Sequence, residues 1–165
     1  MKKSKLIPIA LAVCLGTPAE ALRGVSLDTK CEAVQRIETG LGSKLKGVLP
    51  RESTEPRKFF FDGTHLGYAS VISYDCEAGV VTSQLITAQF SSEKESQVAF
   101  SEFRRALVAE FGSPSQDADE PAISALRPPE GSVPLRFTSW FREGRTVGLM
   151  LTGEEETWEL VLLGP

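Results

Sequence analysis

The sequence predicts an α+β fold of two αβββ units, in which helices pack on one face of an antiparallel sheet. Two segments carry apolar residues at helical spacing, and six short segments alternate apolar and polar residues as strands do. Most strand candidates are separated by tight turns, which join antiparallel neighbours. The similar helix ends Leu41-Gly42-Ser43 and Phe111-Gly112-Ser113 favour an internal duplication, with sub-units of about 22–90 and 91–165.

The chain opens with a predicted signal peptide, residues 1–21. A lysine-rich start leads into the apolar run from Leu6 to Leu15, and Ala19-Glu20-Ala21 supplies the small residues of a cleavage site. The apolar run is too short to cross a bilayer as a helix. Cleavage after Ala21 leaves one exported domain, 22–165, in the periplasm or outside the cell.

A second interpretation of this segment involves lipid anchoring. Leu11-Ala12-Val13-Cys14 resembles a lipoprotein signal, in which Cys14 would carry the lipid and become the first residue of the mature chain. Val13 stands where such signals have a small residue, and this favours the soluble alternative. We therefore expect no transmembrane span and treat lipidation as the minority case.

Charge and composition limit the function classes. Removing residues 1–21 deletes three lysines and one glutamate, which takes the formal net charge from −4 to −6. A negative chain disfavours non-specific nucleic-acid binding. The 41% hydrophobic content is sufficient for a packed core, so we expect a globular domain.

The two cysteines beyond the signal are predicted to form a disulfide. Cys31 and Cys76 make an even pair in a compartment where disulfides persist. The pair lacks the CxxC spacing of redox and metal sites. Closing a loop of this length stabilises a fold by about 4 kcal/mol in the chain-entropy model.

The first half is predicted to contain one helix and three strands. The helix runs from Leu27 to Leu41, with a capping box at Thr29-x-x-Glu32 and a stop at Gly42. Residues 44–58 hold two prolines and mixed charge, which indicates a loop. The strands that follow are Lys58–Asp62, Gly67–Cys76 and Val80–Phe90, separated by turns at Asp62-Gly63 and Glu77-Ala78-Gly79.

The second half repeats this plan. Ser92-x-x-Glu95 is a capping box, a stripe of phenylalanines and Leu107 follows it, and Gly112 ends the helix. Residues 113–134 carry five prolines and an acidic run, which predicts a long loop. The last strands are Leu135–Arg142, Thr146–Thr152 and Thr157–Leu163.

Alternation along the strands predicts which side chains face outward. In Leu135–Arg142, the apolar set Leu135, Phe137 and Phe141 is expected in the core. The residues then predicted to form an exposed partner-binding surface are Arg136, Trp140, Arg142 and Met150. Arginine, tryptophan and methionine are enriched at protein interfaces. A second interpretation has Trp140 covered by the long loop.

The first half carries its own prediction of faces. If the disulfide forms, Cys76 must face the first helix, and Ile72 and Tyr74 share that side of the strand. The opposite side then presents small and mildly apolar residues, which would extend the open surface or form ordinary sheet exterior. These residues are Ala69, Val71, Ser73 and Asp75.

The N-terminal part of the domain resembles a family of exported binding modules. The opening Gly24-Val25-Ser26-Leu27, the helix through Cys31 and Val34, and the closing Leu41-Gly42 are similar to small αβ modules of the β-lactamase-inhibitor-protein and SmpA/OmlA-like type. The resemblance implies a module that binds another protein, often through its exposed sheet face. It also implies that there are no catalytic residues to carry over.

Catalytic and ligand-binding interpretations have weaker support. The single histidine, His65, falls in a predicted turn, no thiol remains free once the pair is oxidised, and GxSxG and phosphate-binding glycine motifs are absent from the sequence. Two carboxylates suffice for a glycosidase, and the run 154–156 with Glu159 offers candidates. Phe59-Phe60-Phe61 is typical of a core strand, with a ligand pocket as the alternative. The acidic residues Asp117, Asp119 and Glu120 lack the ligand count of a calcium loop.

We therefore predict a non-enzymatic, exported, disulfide-bonded module that binds an envelope or secreted protein as an inhibitor, immunity or assembly factor. No metal, cofactor or nucleic-acid partner is expected. The alternatives are a carrier of a small apolar ligand and a carboxylate-dependent hydrolase.

Overall fold

The computed structural model describes residues 22–49, 57–118, 133–142, 144–154 and 157–164. The predicted signal peptide and Cys14 lie outside these residues. The helices are α1 (Cys31–Gly40) and α2 (Glu93–Phe111). The strands are β1 (Lys44–Leu49), β2 (Arg57–His65), β3 (Tyr68–Glu77), β4 (Val80–Phe90), β5 (Gln116–Ala118), β6 (Val133–Arg142), β7 (Arg145–Glu154) and β8 (Thr157–Gly164).

The described strands form one antiparallel sheet of eight strands in the order β1-β2-β3-β4-β8-β7-β6-β5. The predicted fold of two αβββ units is therefore wrong. The central pairing of β4 with β8 joins the strands of both halves, with Ile86 opposite Leu162 and Ala88 opposite Leu160. These four side chains are buried, so burial across this junction favours one continuous sheet.

Two edge strands account for part of the difference from the prediction. Lys44–Leu49 and Gln116–Ala118 lie in segments predicted as loops, yet they pair with β2 and β6. The side chains of β1 are mostly exposed, and its pairing is interrupted between Leu45 and Gly47. Exposure and a bulge remove the alternation by which a strand is recognised in sequence.

The first hairpin turns later than predicted. β2 continues through Asp62-Gly63 to His65, which is buried at 5% exposure and lies edge-on to Phe103 with 5.4 Å between ring centroids. The turn lies at Leu66-Gly67, where both residues have positive φ (49° and 89°). His65, predicted in a turn, is therefore a core residue.

The helix ends follow the prediction at three of their four caps. The side chain of Ser92 accepts a hydrogen bond from the Glu95 backbone N–H, and Gly112 follows the last residue of α2 with φ 79°. Gly42, with φ 84°, follows the C-cap residue of α1. The N-cap of α1 is Lys30 without a side-chain hydrogen bond, so the predicted Thr29 capping box is wrong.

A single main cluster of buried side chains holds the sheet and both helices together. It contains Val34 of α1, Phe100, Phe103 and Leu107 of α2, and inward side chains of six strands. The predicted disulfide between Cys31 and Cys76 is present, with 6.2 Å between the Cα atoms. It ties the start of α1 to β3 inside this core.

Candidate binding surface on the outer sheet face

The predicted outward orientation of Trp140 on β6 is wrong, whereas Phe137, on the opposite side of the strand, is buried as predicted. Trp140 is buried at 1% exposure in the main cluster, and its Nε1–H donates to the Gly112 carbonyl at 2.8 Å. Arg136 lies on the same side, with its guanidinium 4.4 Å from the Phe100 ring centroid and donating to Gln97 at 3.2 Å. Both residues contact α2. The helix end supplies the acceptor for the indole, and the sequence of β6 alone does not indicate this.

Met150 also does not share an exposed surface with Trp140. Met150 points to the opposite side of the sheet, where it is buried at 1% exposure against Phe137 and Val161. Arg142 pairs with Arg145 at the end of the β6–β7 hairpin. Arg136 and Trp140 therefore lie on one side of the sheet and Met150 on the other, and the side chain of Arg142 lies outside what the structure describes.

The faces of β3 are as predicted. Ile72, Tyr74 and Cys76 are buried in the main cluster, and Val71 and Asp75 point to the opposite side. Cross-strand pairing continues this opposite side over the neighbouring strands, with Phe60 opposite Ser73 and Val71 opposite Thr87. We call this side the outer face. It is defined by Phe60, Val71, Leu85, Thr87 and Glu159.

The outer face carries a cavity of about 660 Å³. Its walls come from β1, β2, β3, β4 and β8, and its lining combines apolar, hydroxyl, amide and charged groups. The lining residues are Lys46, Phe60, Asp62, Gly63, Ala69, Ser70, Val71, Ser73, Leu85, Thr87, Gln89 and Glu159. A smaller groove of about 330 Å³ shares Phe60 and Val71 and extends to Leu49 on the edge strand. Leu49 is 54% exposed.

The charges around this cavity are not all compensated. Lys46 and Asp62 form an ion pair of 3.2 Å, and Lys58 and Asp75 form another of 3.2 Å. Glu159 has no ion pair with any of the described residues. The outer face therefore presents one half-buried carboxylate without a counter-charge.

On the inner side, a buried polar network closes the core instead of forming a site. The Arg23 Nε–H lies 3.0 Å from each carboxylate oxygen of Glu38, and its Nη2 donates to Ser43 at 2.6 Å. The Tyr74 hydroxyl donates to Glu38 at 2.5 Å and accepts from Gln84 at 2.8 Å. Burial, and then the hydrogen bond to Glu38, raise the pKa of Tyr74 far above its usual value.

The catalytic and metal candidates that the structure describes do not come together. His65 is in the core, and Asp117 pairs with Arg104 on the far edge of the sheet. Asp119, Glu120, Glu155 and Glu156 lie outside the described residues, as does the side chain of Glu154. Within the described ranges, no three His, Cys, Asp or Glu side chains come close enough to hold a metal ion. Of the three adjacent phenylalanines, Phe59 and Phe61 are in the core, and Phe60 lines the cavity.

The signal for the outer face was present in the sequence. Ala69, Val71 and Ser73 were placed there by the requirement that Cys76 face α1. Phe60 follows from the same alternation, applied across the β2–β3 hairpin, and the outward side of Glu159 follows from alternation within β8. The cavity itself depends on the pairing order, which alternation along a strand does not specify.

Comparison with known proteins finds no matching family model, no similar curated protein and no similar solved structure. The resemblance to the inhibitor-type modules stays a prediction. Among the described residues, neither helix has the length and apolar character needed to cross a membrane.

Proposed function

We propose that this chain is an exported protein that binds another protein through the outer face of its sheet. The observation that carries the proposal is the cavity of about 660 Å³ on the sheet side opposite the main core. On the inner side, α2 packs against β4, β6, β7 and β8, and Val34 of α1 belongs to the same cluster of buried side chains. A partner therefore has the outer face as its accessible part of the sheet.

The composition of the cavity supports a protein partner. Protein interfaces combine an apolar centre with a polar rim and use few charges at the centre. On the outer face, half-buried Phe60, Val71 and Leu85 form an apolar floor, and the Lys46–Asp62 pair and Glu159 lie among its lining residues.

The disulfide supports export as part of the same proposal. Disulfides persist in oxidising compartments and are rare in the cytosol. The Cys31–Cys76 bond is consistent with a secreted or periplasmic protein that begins after Ala21.

A small apolar ligand is the second candidate function. Ligand sites have volumes of about 300–1,000 Å³, and the cavity falls in this range. Native mass spectrometry of the purified protein tests this candidate, because a bound ligand adds a discrete mass that disappears when Val71→Arg fills the cavity.

Affinity capture with two matched variants tests the protein-binding proposal. Val71→Arg places a charge on the outer face, whereas Val98→Arg places the same charge on α2, where Val98 is already 50% exposed. We expect one stoichiometric protein to be captured from envelope or culture extracts by the unmodified protein and by Val98→Arg, but not by Val71→Arg. Thermal unfolding of both variants at the same temperature as the unmodified protein shows that the fold is intact. Equal capture by all three proteins then contradicts the proposed face.

A further inference from the structure

The uncompensated carboxylate on the outer face indicates the chemistry of the partner. We infer that the outer face binds a protein segment that presents a lysine or arginine to Glu159 and an apolar side chain to the floor formed by Phe60 and Val71. This inference rests on the proposed function, because it specifies which partner that face accepts.

A partner that binds the outer face must compensate the charge of Glu159. Its side chain is half-buried on β8, opposite Gln89 on β4 and Thr152 on β7, and no described cation pairs with it. A partner that covers the face removes water from this carboxylate. Covering an unpaired charge is costly, whereas a cation from the partner offsets that cost. A partner without a cation at this position is therefore selected against.

The other carboxylates of the outer face already have counter-charges within the chain. Asp62 and Asp75 are also carboxylates here, but Lys46 and Lys58 compensate them within the chain. A partner needs no counter-charge for these pairs. The demand for a cation is thus localised at Glu159 and is not a general property of the face.

Phe60 and Val71 lie on strands that are not adjacent to the strand of Glu159 in the sheet. Val71 lies on β3 and Glu159 on β8, two strands apart across β4. Two strand spacings correspond to about 10 Å. One side chain cannot make both contacts well, so the partner must supply two side chains, one cationic and one apolar. The formal net charge, −4 for the whole chain and −6 after the predicted cleavage, adds a long-range attraction for a basic partner.

A random-peptide library displayed on phage tests this inference and does not require that the partner be identified. Peptides are selected on the immobilised unmodified protein, and their affinities are then measured for Glu159→Gln, for Val71→Arg and for a control, Glu77→Gln. Glu77 is an exposed carboxylate at the end of β3. Glu159→Gln keeps the size of the side chain and removes its charge. Thermal unfolding of each variant confirms that the fold is intact.

We expect the selected peptides to be enriched in lysine or arginine together with an apolar residue. Their affinity should fall about tenfold or more in Glu159→Gln and stay unchanged in Glu77→Gln. Peptides that lose affinity in Val71→Arg, but show no basic enrichment and no response to Glu159→Gln, overturn this inference and leave the proposed face standing. If no selected peptide responds to Val71→Arg, the inference fails together with the proposed binding face.

Discussion

Replacing Arg23 by methionine removes the cation of the buried network and tests how the start of the domain is held. The guanidinium contacts both carboxylate oxygens of Glu38, the Ser43 hydroxyl and the Thr64 carbonyl. Arg23 is 9% exposed and Glu38 is fully buried. Methionine keeps much of the apolar stem of arginine, so the substitution mainly removes charge and hydrogen bonds.

The magnitude follows from what the substitution leaves behind. Glu38 would keep one side-chain donor, the Tyr74 hydroxyl at 2.5 Å, and would lose its only ion pair among the described residues. Removing one partner of a buried ion pair costs about 3–5 kcal/mol. A domain of this size is stable by about 5–15 kcal/mol, so the loss is a large part of the total free energy of unfolding.

Urea unfolding, followed by the fluorescence of Trp140 and Trp158, measures the change in the free energy of unfolding. The matched control is Lys46→Met, which breaks an ion pair whose side chains are both 57% exposed. That control should cost about 1 kcal/mol or less. The double substitution of Arg23 and Glu38 by methionine should recover part of the loss, because no buried charge then lacks a partner. If Arg23→Met costs no more than Lys46→Met, the network does not stabilise the fold as argued.

Three further perturbations have defined outcomes. Gly63→Ala would place a Cβ 2.5 Å from the Ser43 hydroxyl, and this clash should lower the free energy of unfolding in urea by about 1–3 kcal/mol. The control is Gly47→Ala, whose Cβ meets nothing within 4 Å. Equal effects of the two substitutions would show that the space around Gly63 is not limiting. The double variant Cys31→Ala/Cys76→Ala should lose about 4 kcal/mol, and an unchanged unfolding midpoint would show that the disulfide contributes nothing. In the folded protein, phenolate absorbance should show no step near pH 10, because a hydrogen bond to Glu102 raises the pKa of Tyr68 to about 12 and burial raises that of Tyr74 further. Both phenols stay protonated to a higher pH in the folded protein than in the unfolded chain. The free energy of unfolding should therefore not depend on these groups below pH 10 and should fall as the pH rises above 10. An absorbance step near pH 10 in the folded protein would refute this prediction.

The parts of the fold that the sequence predicted are those with strong local signals. The helix that became α2 has a capping serine, an apolar stripe and a terminal glycine, and β4 has turn residues before it and a capping box after it. The disulfide followed from cysteine number and export. The inward and outward sides of β3 could then be predicted, because the bonded Cys76 must face α1 and every second residue of the strand lies on the same side as Cys76.

The errors lie where local signals conflict or are weak. β6 carries Phe137 and Phe141 on one side and Trp140 on the other, so alternation alone permits either side to be inward. The decision depends on α2, because Gly112, which follows the last residue of that helix, presents its carbonyl to the indole. Exposed Phe141, at 62%, shows that a large apolar side chain on a strand need not be buried.

The two helices, six of the eight described strands, the disulfide and the faces of β3 could be predicted from the sequence, because these features depend on spacing within short segments or on one covalent bond. The tertiary structure was needed to show that the described strands form one sheet, that β1 and β5 are its edges, and that Phe60, Val71 and Glu159 line one cavity. The strand order is selected by backbone hydrogen bonds and by the burial of apolar side chains between strands that are far apart in the sequence. The spacing of residues within one segment does not indicate that order.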